Sequence, residues 1–487
     1  MNRPAFRVGK KDADTFRSAF WVVGALLVAL RLWLVAGIPK LIRYAPHDDL
    51  FYAKAAHHLL HGEWMGPYSE MTLIKGPFYA FFLVASYFST LPVLVSESLF
   101  YLGACLVFFR AVAPLVPSRW LRLIAFAVLL FCPAGILTTW SIRVYREFVY
   151  LSLNLYVAAF ATGLLLRLRH GLKSLLGWSV GMGAAMAGFL LSREDGLWIM
   201  PMIALLLVGC VVFVWWRVKT DRVWRTLLVC LPIVVWNVPI QMVSYANYEH
   251  YGTWIVADYL EPNFLRALDD LGRIQTAAPW HPAIQVSGEA RRMAYEASPT
   301  LGSLAPLIED GVVGWNVNDD GAMSGKPQWY LNQYGSGGSE VGNAHFPWLL
   351  RQAVAKAGYY RTGASAAGFY KAVGDELEAA CRNGMLDCAP SAGVPLVGSI
   401  DPRHLPIIGR MAAENAVAFA GLQEVQVPAL DIEAWPAWMP GERSYKYFVE
   451  ITYDAIDVRR PMGLVDDETD ARLKILGYKQ RLIEAIG

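Results

Sequence analysis

The stretch FWVVGALLVALRLWLVAGI, residues 20–38, decides the fold class. Arg31 is its single charged residue, and a helix needs about 20 apolar residues to cross about 30 Å of hydrocarbon. Comparable stretches follow at residues 97–116, 121–140, 148–166, 175–191, 197–216 and 226–243. After residue 245 none occurs, because Asp, Glu, Arg and Gly recur too often. The sequence therefore predicts an α-helical polytopic membrane protein, with about seven transmembrane helices in residues 1–245 and a mostly helical soluble domain in residues 246–487.

Composition and charge narrow the class of partner. Hydrophobic residues make up 55% of the chain, which implies a lipid bilayer, and the net charge of +2 comes without any basic block that would indicate nucleic acid. The basic residues 1–17 precede the first apolar stretch without a small-residue cleavage site, as in a retained signal anchor. Asn-X-Ser/Thr triplets are absent, which favours a bacterial inner membrane.

An eighth apolar stretch, at residues 77–95, decides the topology. If it crosses the membrane, the basic loops at 166–173 and 217–225 lie outside, against the positive-inside rule. If it is a juxtamembrane or re-entrant helix broken near Pro92, every basic loop is cytoplasmic. We predict the second arrangement, in which the first loop, residues 39–95, and the soluble half are extracytoplasmic.

That topology places three charged elements on the outer face. They are Asp48 and Asp49 in HDDLFY, Arg143, Arg146 and Glu147 in RVYREF, and Arg193, Glu194 and Asp195 in SREDG. Ionisable groups beside hydrocarbon are costly, so they tend to sit at a boundary or serve a function. Structural alternatives stay open: Asp48 as a helix N-cap with Asp49 complementing the dipole, arginines that snorkel to lipid phosphates, and SREDG as a charged turn.

The order of these motifs resembles the GT-C superfamily of integral membrane glycosyltransferases, especially the branch of protein O-mannosyltransferases and the aminoarabinose transferase. In that branch a carboxylate pair precedes a Tyr, a short helix, and then Gly, an acid and Trp. The matching residues are Asp48, Asp49, Tyr52, Gly62, Glu63 and Trp64. LIKGPFYAFF resembles the branch's Lys-Pro-Pro stretch with Gly76 in place of the first Pro, and Glu147 stands where many relatives have Asp. The resemblance covers about residues 15–245 and implies a seven-span module.

The resemblance implies transfer of a sugar from a polyprenyl-phosphate donor to the hydroxyl of a glycan, lipid or protein acceptor, through an oxocarbenium-like transition state. Asp48 is the expected general base, and Asp49 or Glu147 orients the acceptor or balances charge. Lys75, Arg143 and Arg146 are the expected clamps for the donor phosphate. The residues expected to contact substrate are Tyr52, Tyr68, Arg193, Glu194 and Asp195.

Two alternatives remain open at this stage. A divalent cation held by Asp48, Asp49 and Glu147 is one, since some members of the superfamily use a metal at the paired acids. The other is a non-catalytic lipid-binding protein or transporter subunit, which would place polar residues at mid-membrane depth. Asn154, Asn237 and Gln241 are the candidates for that role.

The soluble half offers fewer motifs. Helical spacing of apolar residues predicts helices at residues 345–360 and 367–384, the second ending near Gly384. Cys381 and Cys388 are expected to form a disulfide if this half is extracytoplasmic and to be free thiols otherwise. Residues 316–348 have the glycine content of a functional loop, and residues 471–487 read as an amphipathic helix.

Overall fold

A computed structural model describes most of the chain. The described residues are 10–36 (side chains from 18), 40, 48–132, 143–277, 284–316 (side chains to 312), 340–342, 345–391, 405–406, 409–410, 412–413, 447 and 451. Most of the predicted loop at 316–348 and all of the predicted helix at 471–487 lie outside them. The described part is helical and contains one isolated β-bridge, between Ile274 and Cys388. Contacts divide the chain into a first unit, Met1–Gly66, Gly76–Met242 and Ala416–Gly487, and a second unit, Pro67–Lys75 and Val243–Asn415.

The first unit is a bundle of apolar helices. They are α1 (Lys10–Val35), α2 (Asp49–Leu60), α3 (Phe78–Ser89), α4 (Val93–Ala111), α5 (Arg119–Leu130), α6 (Glu147–Leu166), α7 (Leu172–Ser192), α8 (Met200–Arg217) and α9 (Arg222–Tyr251), whose last residues belong to the second unit. Six helical segments in the described residues are long and apolar enough to cross a membrane. They coincide with six of the seven predicted spans. The remaining one, residues 121–140, is helical over Arg119–Leu130, and residues 133–142 fall outside the described part. The predicted fold class, a polytopic helical membrane protein, is confirmed.

The stretch at residues 77–95 is not one span. Helix α3 has 12 residues and ends at Thr90, whose φ of 59° is left-handed, and α4 starts after Pro92. Lys40, just beyond α1, binds Glu97 in the first turns of α4 at 2.5 Å. Because the end of α1 contacts the start of α4, the chain that contains α2 and α3 begins and ends on the same side of the bundle. This agrees with the predicted juxtamembrane helix and its break near Pro92.

Small residues allow α4, α6 and α7 to pack closely. A Cβ on Gly163 of α6 would lie 2.0 Å from the Trp178 ring of α7, so only glycine fits there. At one end of this bundle Arg167 donates to the carbonyls of Arg110 and Ala111, and Arg225 donates to the carbonyls of Leu168 and His170. The charged motifs RVYREF and SREDG lie at the other ends of α6 and α7, about 30 Å away at 1.5 Å per residue.

The second unit is also helical. Its helices are α10 (Pro262–Gly272), α11 (Gly288–Ala297), α12 (Pro299–Gly302), α13 (Ala305–Asn316), α14 (Phe346–Lys356) and α15 (Gly363–Arg382). Helices α14 and α15 confirm the helices predicted from apolar spacing. Gly384, with φ of 78°, follows α15 as predicted for its C-terminal end. A disulfide joins Cys381 and Cys388, with the two Cα atoms 5.6 Å apart.

Candidate active site

The carboxylate doublet stands at the start of α2. Asp48 occupies the N-cap position, but its side chain accepts no capping hydrogen bond, and its φ of −125° and ψ of −97° are unusual for a cap. Asp49 opens the helix and is fully buried. The structural alternative of Asp48 as a side-chain N-cap therefore does not describe this helix start.

Asp49 is buried because it pairs with Arg143. The guanidinium binds both carboxylate oxygens, Nε to Oδ1 at 3.1 Å and Nη2 to Oδ2. Burial raises the pKa of Asp49 to about 6, although the hydrogen bond and charge of Arg143 act in the opposite direction. Burial also lowers the pKa of Arg143, but Asp49 outweighs that effect and the net shift is upward. Asp49 thus has a structural partner beyond the helix dipole.

Asp48 lies beside this pair and remains accessible. Its Oδ2 is 3.9 Å from Arg143 Nη2, and its side chain is 30% exposed while that of Asp49 is not exposed. Of the two adjacent acids, Asp49 is buried in a bidentate ion pair, whereas Asp48 is open to contact by a ligand. A carboxylate near a cation and open to a ligand is suited to accept a proton.

Arg146, three residues after Arg143, is bound by residues at the end of α7. Nη1 and Nη2 bind the two oxygens of Glu194 at 2.7 and 2.9 Å, and Nη1 also binds the Ser192 carbonyl at 2.9 Å. The pKa of Arg146 is raised, because neighbouring Tyr52 and Glu194 outweigh the lowering effect of burial. Its Nε is buried without a hydrogen-bond partner among the described residues. SREDG is therefore more than a charged turn, since it fixes an arginine of another helix end.

Glu147 and Arg193 form the exposed edge of the cluster. Arg193 Nη1 bonds both oxygens of Glu147, at 2.9 and 3.2 Å, while Nε and Nη2 bind Asp195 at 2.8 Å. The side chains of Glu147 and Arg193 are 29% and 27% exposed. The Arg193 guanidinium also lies 5.1 Å from the Tyr150 ring. Asp195 is 52% exposed, so this edge of the cluster is open to solvent.

Two tyrosines connect these pairs. Tyr52 of α2 is fully buried, and its phenol interacts electrostatically with Arg146 and Glu194. Tyr145 interacts with Asp48, Arg146 and Glu147, and its ring lies 5.1 Å from the Arg143 guanidinium. Burial raises the pKa of both phenols, so both remain neutral donors at ordinary pH. Tyr52 is a predicted site residue, whereas sequence reasoning missed Tyr145.

The sequence also missed a buried network behind Arg143. Lys40 Nζ donates to the Arg143 carbonyl at 2.9 Å and binds Glu97 Oε2 at 2.5 Å, and the Tyr79 hydroxyl donates to Glu97 Oε1 at 2.8 Å. The side chains of Lys40 and Glu97 are both fully buried. Two features of the sequence could have indicated this network. Lys40 lies in the loop that the sequence predicts to be extracytoplasmic, where the positive-inside rule predicts few cations, and Glu97 is the first residue of a predicted apolar stretch.

The two other predicted residues, Lys75 and Tyr68, belong to the second unit. Lys75 is buried. The Tyr68 hydroxyl donates to Asp258 Oδ2 at 3.2 Å, and its ring stacks on that of Tyr360. The structure thus gathers Asp48, Asp49, Tyr52, Arg143, Arg146, Glu147, Arg193, Glu194 and Asp195 in the first unit, and it describes Lys75 and Tyr68 in the second.

The acids of the cluster do not fit a divalent-cation site. Asp49 faces Arg143 and Glu147 faces Arg193, so each presents its oxygens to a guanidinium. Among the described residues no three His, Cys, Asp or Glu side chains are grouped so as to hold a metal ion. The rings of His57 and His61 lie 4.3 Å apart at the end of α2, and they belong to no such group among the described residues.

The polar residues inside the predicted spans are occupied by their own helices. Asn154 Nδ2 donates to the Tyr150 carbonyl at 2.8 Å, and Asn237 Nδ2 donates to the Ile233 carbonyl at 2.7 Å. Such i to i−4 bonds satisfy a side chain without a partner helix. These two residues give no support to a mid-membrane transport site.

Comparison with known proteins adds little to this geometry. No protein-family model matches the chain, and no curated protein matches it. Among solved structures, the chain is similar to the crystal structure of ArnT from Cupriavidus metallidurans in the apo state. The alignment has 15% sequence identity and a TM-score of 0.36, and it covers 96% of this chain and 76% of that chain. A likeness at this TM-score carries no argument about function.

Proposed function

We propose that the chain is an integral membrane glycosyltransferase of GT-C type, which transfers a sugar from a polyprenyl-phosphate donor to an acceptor hydroxyl. One observation carries the proposal: Asp48 stays accessible beside a sealed Asp49–Arg143 pair, in a cluster of acids and arginines at one end of the helix bundle. The motif resemblance described above supplies the reaction class. The exposure of the Asp48 carboxylate beside the Arg143 guanidinium supports the choice of Asp48 as the base.

Asp48 takes the acceptor's proton in this mechanism. The acceptor oxygen forms a bond to the anomeric carbon, the bond from that carbon to the donor phosphate oxygen breaks, and the proton passes to the Asp48 carboxylate. The polyprenyl phosphate leaves with the electron pair of the broken bond. Glu147, part of the same charged cluster and 29% exposed, is placed to accept a hydrogen bond from a sugar or acceptor hydroxyl.

The leaving phosphate needs positive charge rather than a proton. Arg143 and Arg193 supply that charge, and Arg146 adds to it from a buried position. Each guanidinium is paired with a carboxylate in this structure. The Arg193–Glu147 pair is the more exposed, so it opens to a phosphate at lower desolvation cost than the buried Arg143–Asp49 pair.

Orientation and compartment follow from charge and from the disulfide. Arg110, Arg167 and Arg225 gather at the end of the bundle opposite RVYREF, which under the positive-inside rule is the cytoplasmic end. The Cys381–Cys388 disulfide favours an oxidising compartment for the second unit. We therefore place the candidate site and residues 246–487 on the periplasmic or extracellular side, in a bacterial inner membrane.

A reconstituted transfer assay tests the reaction class. Proteoliposomes holding the full chain are given polyprenyl-phosphate-linked sugars, or the matching sugar nucleotides, with a mixture of hydroxyl acceptors. We expect the labelled sugar to be transferred from the lipid-linked donors alone. Binding of polyprenyl phosphate without transfer to any acceptor would favour the rival function, a non-catalytic lipid-binding protein. No binding at all would refute both.

A further inference from the structure

The second unit contains a short piece of the first loop. The segment Pro67–Lys75, called here the anchor segment, clusters with Val243–Asn415 although it lies between α2 and α3 in the chain. It ends on Lys75, for which the motif resemblance implies a role in clamping the donor phosphate. Leu73 and Ile74 are buried beside it in sequence, so the segment is packed rather than exposed.

A single ion pair holds the anchor segment at three points. Arg351 of α14 donates through Nε and Nη2 to the Glu70 carbonyl, at 3.2 and 2.5 Å, and Nη2 also binds Asp258 Oδ1 at 2.8 Å. Asp258 accepts the Tyr68 hydroxyl at 3.2 Å, and its backbone N–H donates to the Leu73 carbonyl at 2.7 Å. Tyr68, Glu70 and Leu73 are therefore fixed by two residues of the second unit.

The burial and geometry of the Arg351–Asp258 pair indicate that it fixes the position of the anchor segment. The side chains of Arg351 and Asp258 are 1% and 5% exposed, and the guanidinium lies over the rings of Phe264 and Tyr360 at 5.3 and 5.0 Å. A buried ion pair contributes little stability beyond well-packed apolar residues, but its directional bonds select one arrangement. The planar guanidinium holds its N–H donors in a fixed fork, so it binds the Glu70 carbonyl through two nitrogens and the Asp258 carboxylate in one geometry, which the single nitrogen of a lysine does not reproduce.

We propose that Arg351 and Asp258 are positioning residues that act on the donor phosphate through Lys75, by holding the anchor segment in one conformation. This inference rests on the proposed function for its phosphate. The segment ends at Lys75 and the chain continues directly into Gly76 and α3. A loosened segment leaves the Lys75 ammonium without a fixed position, which weakens binding of the donor phosphate.

The test uses the full chain in lipid nanodiscs with Arg351→Lys, and Arg291→Lys as the matched control. Arg291 is also 1% exposed in the second unit, where it binds Glu309 and the Val286 carbonyl. Hydrogen exchange at residues 69–75 is measured first. We expect faster exchange there in Arg351→Lys and unchanged exchange in Arg291→Lys. Unchanged exchange in Arg351→Lys, or an equal rise in both variants, would overturn the proposal.

Binding of undecaprenyl phosphate then tests the link to Lys75. Arg351→Lys should weaken binding about tenfold, as expected for one lost charged hydrogen bond. In a Lys75→Gln background Arg351→Lys should have no further effect, because the group through which it acts is gone. Additive losses would overturn the positioning role. If the wild type binds no undecaprenyl phosphate, the proposed function and the link to Lys75 both fail, while the exchange result still decides whether Arg351 holds the segment.

Discussion

Asp48 and Asp49 are neighbours in the chain but occupy different environments. Asp49 is sealed against Arg143, and Asp48 keeps 30% of its side chain exposed. An acid with a buried partner orients that partner, whereas an accessible acid can exchange a proton with a ligand. This difference supports the roles that we propose, Asp49 as the partner that orients Arg143 and Asp48 as the base.

The Asp49–Arg143 pair predicts opposite pH dependences of activity and stability. The pKa of Asp49 is about 6 in the folded protein, above the value near 3.9 of an unfolded chain. Below pH about 6 the carboxyl is protonated and no longer orients Arg143, so transfer should fall about tenfold per pH unit. The stability contribution of this group has the other sign: it is fully present below pH about 4 and lost as the pH rises through about 6.

Transfer rates and thermal unfolding across pH 4 to 8, for the wild type and Asp49→Asn, measure both effects. The variant should lose the acid limb near pH 6 and transfer slowly at every pH. An unchanged acid limb in Asp49→Asn would assign it to another group. A melting temperature that rises through pH 6 in the wild type alone would reverse the assigned sign.

At the scale of elements, α1, α3 and α4 meet at a buried ion pair that supports the loop before α6. Lys40→Met removes the ammonium group from the buried Glu97 carboxylate, which should cost about 3–5 kcal/mol of stability. Lys40→Met with Glu97→Gln removes that charge and keeps an acceptor for the Tyr79 hydroxyl, so much of the stability should return. Transfer should stay low in both variants, because the Arg143 carbonyl has lost its lysine. Full recovery of transfer in the double variant would limit the pair to a structural role.

The contact between the start of α3 and the end of α7 requires a glycine. A Cβ on Gly76 would lie 2.1 Å from the Leu191 carbonyl oxygen, next to Ser192, whose own carbonyl holds Arg146. Gly76→Ala should therefore cost about 1–3 kcal/mol and slow transfer. Gly177→Ala in α7, where no atom lies within 4 Å, should instead gain about 0.5–1 kcal/mol. Equal melting temperatures for the two variants would show that the α3–α7 contact is looser than described.

The predicted elements and the predicted site differ in how far the sequence could reach. Apolar length and loop charge were sufficient for six of the seven predicted spans and for the α3 break at Pro92, because the bilayer imposes those patterns locally. The same two patterns also predicted correctly that RVYREF and SREDG lie at one end of the helix bundle. The pairing within the cluster was not predictable, since which acid meets which arginine depends on helix rotation. Lys40 and Glu97 were missed for that reason, being 57 residues apart.

The proposed topology of the whole molecule predicts which residues face the cytoplasm. Glu63, after α2, should lie on the side of the candidate site, and Lys173, at the start of α7, on the opposite side. Both are exposed, so single cysteines at these positions can be labelled. In intact cells an impermeant maleimide should label Glu63→Cys, and should label Lys173→Cys after permeabilisation only. Labelling of Lys173→Cys in intact cells would invert the topology and with it the placement of the site.

The most direct test of the central claim is sugar transfer by Asp48→Asn compared with Asp221→Asn. Asp221 has a φ of 55°, which asparagine tolerates well. The Asp221→Asn substitution therefore makes the same chemical change as Asp48→Asn, but away from the cluster. We expect Asp48→Asn to lose at least about 100-fold in transfer rate, the usual effect of removing a general base, while undecaprenyl phosphate binding and melting temperature stay near wild type. Asp221→Asn should transfer normally. Transfer by Asp48→Asn within a few-fold of wild type would contradict the account, because no base would then be assigned to the accessible member of the doublet.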